Sequence, residues 1–156
     1  YTPAWDTLVW FSVLVSMCSG LSSSGLVGRM ADMVAGAMAG ANMHWLAAFG
    51  VLHAIFFWGH YVFASQVGHV GALYGAFLAM MISAGAPVQL SAITLGYSAN
   101  LFGSLTHYAS GPAAVFHGSG YTSMTEVLGT GALMALRSWL VWGVFGMAWW
   151  KYLGWW

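Results

Sequence analysis

The chain has 156 residues, 60% of them hydrophobic and only 4% charged, with three Lys or Arg balancing three Asp or Glu. Soluble domains carry about 25% charged residues, so this composition excludes that class. So few cations also exclude an extended basic surface for nucleic acid. Apolar runs of helix length make the chain an integral membrane protein.

The chain opens Tyr1-Thr2-Pro3-Ala4-Trp5-Asp6, with no initiator Met, basic n-region or cleavage pattern. It therefore reads as part of a longer protein and not as a signal peptide. Asp6 to Ser24 is the first apolar segment, with Asp6 or Thr7 as N-cap and Gly25 as the stop. Leu26 to Gly40 is less apolar and carries Arg29 and Asp32 at i,i+3, the pattern of an amphipathic helix lying at the interface. Cys18 is the single cysteine and has no partner for an intrachain disulfide.

After Asn42 a new apolar run extends from His44 to Ala64. It meets a polar, glycine-bearing island, Phe63-Ala64-Ser65-Gln66-Val67-Gly68-His69-Val70-Gly71. The arm that follows, Val70 to Ala84, is about 22 Å long as a helix. That is short of a hydrocarbon core of about 30 Å. Residues 44–84 are thus expected to form a re-entrant hairpin, ended by Gly85-Ala86-Pro87.

Val88 to Gly103 runs into a second island, Ser104-Leu105-Thr106-His107-Tyr108-Ala109-Ser110-Gly111-Pro112. The apolar Ala113 to Phe116 follows, then Gly118-Ser119-Gly120. Pro112 suits the first helical position, with Ser110 or Gly111 as its cap. Residues 88–120 are expected to be two half-helices of one broken span. Leu128 to Trp150, within residues 128–156, is long enough to cross with some tilt. Ten Trp and seven Tyr suit interfacial belts, and Trp149-Trp150-Lys151-Tyr152 with Trp155-Trp156 looks like one anchor. Small-xxx-small pairs such as Gly36/Gly40 and Gly71/Gly75 permit close helix packing.

Lipid satisfies no backbone amide, so irregular chain at membrane depth survives only inside protein or lining a cavity. Each island offers helix carbonyls on one side and helix N–H groups on the other. Interrupted hydrophobic segments of this kind point to a transporter's binding site near the bilayer midplane. One helix N-terminus contributes roughly 0.3–1 kcal/mol toward an anion. Desolvating a carboxylate costs several kcal/mol, so Ser65, Gln66 and Ser110 would have to add hydrogen bonds. Neither island holds a Lys or Arg. Six histidines leave another reading open: His53, His60 or His69 as haem ligands of a membrane redox subunit. A histidine satisfied by backbone or a neighbouring side chain is the plainer alternative at each position. No zinc spacing and no nucleophile–base pair emerges, so neither a metal nor an enzyme activity is expected. Glu126 reads as a solvated residue near a helix start.

The stretches Gly59–Tyr74, Tyr97–Pro112 with Gly118-Ser119-Gly120-Tyr121, and Trp5–Phe11 together resemble the second half of a divalent anion/sodium symporter family member. The likeness is strongest to the branch of plastid 2-oxoglutarate/malate translocators and bacterial citrate or tartrate/succinate antiporters. It implies an all-α membrane protein, one inverted repeat of an elevator-type carrier, in a bacterial inner membrane or plastid inner envelope. It also implies exchange of C4–C5 dicarboxylates by alternating access, a first repeat elsewhere in the chain, and a homodimer. A sodium-coupled symporter is the alternative within the family.

By the same likeness, Ser65-Gln66-Val67 stands where the family has a Ser-Asn-Thr hairpin tip. Ser110, Gly111 and Pro112 correspond to the loop of its broken helix, on the opposite wall of the substrate site. In sodium-coupled members the backbone at Tyr61, Ala64, Gln66 and Ala109 would surround the ion. Arg29 and Lys151 would place the hairpin's opening on the cytoplasmic side by charge alone. The resemblance implies the opposite face. One repeat carries half a site, which leaves open a third reading, that this piece alone has no activity.

Overall fold

The computed structural model describes residues 23–40, 43–63 and 65–156, with positions 9, 12, 13, 16, 17 and 20 nearer the start. Every element among the described residues is helical. The expected helix from Asp6 to Ser24 lies largely outside them.

Helix α1, Leu26–Gly40, packs along α3, Gln66–Ser83. Arg29 and Asp32 are both exposed. Helix α2, Trp45–Trp58, is capped by His44, whose Nδ1 accepts from the Leu46 N–H at 3.3 Å. It tightens into a 3-10 turn over Gly59–Val62 and gives way to extended chain at Phe63 and Ser65. Ser65 then caps α3. That helix begins four residues earlier than the apolar pattern suggested, because the polar residues Gln66 and His69 lie inside its first turn. The arm is therefore 18 residues, about 27 Å, and its length no longer argues against crossing.

A turn at Ala84-Gly85 reverses the chain, and Gly85 takes φ +86°, a conformation that other residues rarely adopt. Helix α4, Val88–Leu101, follows, and a 3-10 turn over Phe102–Ser104 ends it. Helix α5, Gly111–Gly118, has Ser110 as cap and Gly111 as its first residue, so Pro112 sits one place later than expected.

The last long helix runs Met124–Tyr152, made of α6 (Met124–Val141), a π-helical turn at Trp142–Gly146 and α7 (Met147–Tyr152). It starts four residues before the apolar run because Ser123 and Glu126 form a capping box. Each side chain bonds the other's backbone N–H, at 3.4 and 2.9 Å. That is a structural task for the exposed Glu126. The π turn lies where Gly146 admits the rings of Trp142 and Trp150, which stack 6.0 Å apart.

Among the described residues, three helices are long and apolar enough to cross a membrane: Trp45–Val62, Gln66–Ser83 and Met124–Tyr152. Their apolar residues face two ways. Phe49, Leu52, Phe56 and Phe57 of α2 meet Phe77, Met80 and Met81 of α3 and Leu90 and Leu95 of α4 in one core. Leu133, Leu140, Val144 and Phe145 of the long helix are exposed, as apolar residues are when lipid is the solvent. Close backbone approach occurs at neither Gly36, Gly40 nor Gly75, where an added Cβ would meet open space. It occurs at Gly131, whose Cβ would collide with the Ser104 carbonyl and stand 2.8 Å from that of Leu105. The long helix is thereby seated on the second break.

Candidate functional site

Both breaks end in the same local device. A serine in extended conformation caps the following helix: Ser65 Oγ accepts from the Gly68 N–H at 3.5 Å and Ser110 Oγ from the Ala113 N–H at 3.4 Å. Each cap satisfies one of the first-turn donors. The N–H groups of Gln66, Val67 and Gly111 are left without an intrahelical acceptor.

The two breaks converge on the end of α4. Gln66 donates its amide to the Ala99 carbonyl at 2.7 Å, and its side chain lies where a Cβ on Gly103 would be. Ser110 donates its hydroxyl to the Gly103 carbonyl at 3.0 Å. Ser65, Gln66 and Ser110 are half-buried, while Val67, Gly111 and Pro112 are exposed. Gln66 and Ser110, which lie 44 positions apart, thus bond the same five-residue stretch, Ala99–Gly103. Ser65 joins them through its neighbour Gln66, and Val67 follows on the exposed side.

A second set of bonds ties the breaks together from behind. Tyr108 donates its hydroxyl to the Tyr61 carbonyl at 2.8 Å. His60 donates from Nε2 to the Ala109 carbonyl at 3.2 Å, and its Nδ1 lies 3.0 Å from Nδ1 of His69. Phe102 stacks on both imidazoles, at 4.1 and 4.7 Å. Tyr61 and Ala109, expected around an ion, therefore each have a side-chain donor on their carbonyl. Ala64, expected beside them, lies outside the described residues.

His53 and His60 do not form a ligand pair. His53 and His60 are seven apart, but His53 faces Ser98 and Trp139, and both of its nitrogens are hydrogen-bonded. Both nitrogens of His60 are engaged as well, so neither ring has a free lone pair for haem iron. His107 faces His117 of α5, with ring centres 4.8 Å apart, and not the His60–His69 pair. The sequence reading missed the His60–His69–Ala109 connection and the Tyr108–Tyr61 bond. The only signal for either was the presence of His and Tyr inside or beside the islands.

Residues 1–156 match the family described as the sodium:sulfate symporter transmembrane region. The chain is 53% identical over 151 residues to dicarboxylate transporter 2.1, chloroplastic, of Arabidopsis thaliana, a match covering 97% of this chain and 27% of that protein. It is 39% identical over 153 residues to dicarboxylate transporter 1, chloroplastic, of Spinacia oleracea, covering 98% and 27%. It is 32% identical over 137 residues to a citrate/succinate antiporter of Escherichia coli, covering 87% and 28%. The chain therefore spans little more than a quarter of the length of these relatives. They are transporters, not enzymes. Matched along its whole length and built of apolar helices, this chain is a multi-pass integral membrane protein belonging to the sodium:sulfate symporter family.

Proposed function

We propose that this chain is the C-terminal repeat of a carrier that exchanges C4–C5 dicarboxylates of the malate, succinate or 2-oxoglutarate type by alternating access. Residues 44–84 are its re-entrant hairpin and residues 88–120 its broken span. The whole is one inverted repeat of an elevator-type transporter that pairs with a first repeat and works as a homodimer. Ser65, Gln66 and the free N–H of Val67 orient a carboxylate, and Ser110, Gly111 and Pro112 form the opposite wall.

The observation that carries this reading is the convergence of both serine-capped breaks on Ala99–Gly103. It sets two helix N-termini and two polar side chains around one place, as an anionic substrate requires. The relatives' names, dicarboxylate transporters and a citrate/succinate antiporter, supply the substrate class.

Exchange is favoured over sodium coupling by the carbonyls of Tyr61 and Ala109. A cation there would sit beside the Tyr108 hydroxyl and His60 N–H protons that already point at those oxygens, and it would be repelled by them. With one lone pair of each oxygen already taken, these carbonyls are poorer ligands for a sodium ion than free ones.

In a complete carrier containing this chain, Gln66→Ala is expected to cut exchange of labelled dicarboxylate in proteoliposomes at least about tenfold, the effect of one lost charge-assisted hydrogen bond. The purified protein should stay monodisperse. Undiminished exchange would overturn the assignment, and a rate that rises with external sodium would favour the symporter.

A further inference from the structure

His60 and His69 are fully buried. They stand nine positions apart, on the two arms that flank the first break. Their bonding partners determine where the hydrogens lie. A carbonyl only accepts, so His60 must carry its hydrogen on Nε2, facing Ala109. The partners of the two rings are one carbonyl, each other, and the faces of Phe56, Phe63 and Phe102. No carboxylate is among them, and burying an unpaired charge is costly, so both rings are neutral. His60 Nδ1 is then an acceptor, and His69 supplies the second hydrogen from its own Nδ1. This leaves a lone pair on His69 Nε2, buried and without a partner.

The result is a directed chain from His69 to His60 to Ala109, with Phe102 stacked across both rings. Ala109 precedes the cap Ser110, and His60 precedes Tyr61, which takes the Tyr108 bond. Three segments are pinned at one point: the incoming arm, the outgoing arm and the loop of the broken span. Their separation is what sets Ser65 and Gln66 opposite Ser110 and Gly111.

We propose that His60, oriented by His69, is a positioning residue that holds the two halves of the carboxylate site at their working distance. This rests on the exchange reading above and adds a residue that does not itself face the substrate. A residue that only filled the core would behave differently. Replacing His60 by Leu would then do little harm, and Gln, the more polar substitute, would be the worse choice.

The test uses the complete carrier in proteoliposomes. His60→Leu keeps the bulk but has no donor for Ala109, and it should raise KM for the exchanged dicarboxylate about tenfold, the effect of one lost buried hydrogen bond, with kcat little changed. His60→Gln carries an amide donor and should return KM close to that of the parent. An unchanged KM in His60→Leu, or a KM in His60→Gln no better than in His60→Leu, overturns the proposal. Nitrogen-15 spectra of labelled histidine give an independent check: the Nε2–H tautomer at His60 and the Nδ1–H tautomer at His69 are expected. The reverse assignment overturns the proposal, whatever the transport result. Failure of the exchange reading shows separately, as a Gln66→Ala carrier of full activity.

Discussion

Trp139 donates its indole N–H to Nδ1 of His53 across 3.1 Å, joining residues 86 positions apart. With Nδ1 accepting, His53 carries its hydrogen on Nε2 and donates to Ser98 Oγ at 2.8 Å. Ser98 in turn donates to the Thr94 carbonyl at 2.9 Å. The relay crosses from the long helix to α2 and on to α4, and the His53 ring stacks between Phe49 and Trp139. In a lipid solvent such a relay fixes rotation and register where apolar contact alone is permissive.

Trp139→Phe keeps the ring and removes the donor, leaving His53 Nδ1 without its partner. The expected cost is about 1 kcal/mol, the usual net worth of one hydrogen bond at a half-buried site. It should appear as a lower unfolding midpoint in detergent, and an unchanged midpoint would show that the bond contributes nothing.

Gly103→Ala puts a methyl group into the Gln66 amide. Because Gln66 is the flexible partner, it yields first and gives up its bond to Ala99. Dicarboxylate exchange should fall toward the level of Gln66→Ala with a small loss of stability. Gly96→Ala, within α4 and with open space at the Cβ position, should leave exchange at the parent level.

Gly131→Ala is a different kind of change. Its Cβ would press on the Ser104 and Leu105 backbone, and backbone cannot rotate away. Overpacking of this kind costs about 1–3 kcal/mol, and here it would lift the long helix off the second break. Lower stability and lower exchange should appear together. Gly129→Ala, two residues earlier in open space, should be neutral or slightly stabilising, because Ala favours helix by about 1 kcal/mol. Equal behaviour of the two variants would refute the contact.

Ser123→Ala removes the capping box of the long helix and should lower stability by about 1 kcal/mol. Since Ser123 and Glu126 are exposed and their side chains bond only within this pair, exchange kinetics should not change. A kinetic effect without a stability effect would assign Glu126 a role beyond capping.

Much of the element order could be read from the residues. Gly25, Gly85 and the two polar islands interrupt apolar runs, and the helices stop or start at each of them. Boundaries shifted where a side chain captured a backbone N–H that hydropathy ignores. Ser65 drew Gln66 to His69 into α3, and Ser123 with Glu126 drew four residues into the long helix. The Ser-x-x-Glu spacing of the latter was legible as a capping signal. Pro112 was one place out because its ring suits either of the first two helical positions.

Composition alone determined that this chain lives in lipid, because six charged side chains among 156 residues cannot clothe a soluble surface. Local sequence also determined where the helices break, since capping and glycine chemistry act within a few residues. What the breaks face was decided only by tertiary structure. Gln66 meets Ala99, Ser110 meets Gly103 and His60 meets Ala109 across separations of 33, 7 and 49 positions. Such partners carry no periodic signature, because they depend on where folded helices place their ends. The same physics settled the histidines. As a list they suggested haem or metal, but in the fold His60 and His69 link the two breaks, and His53 joins the long helix to α2 and α4.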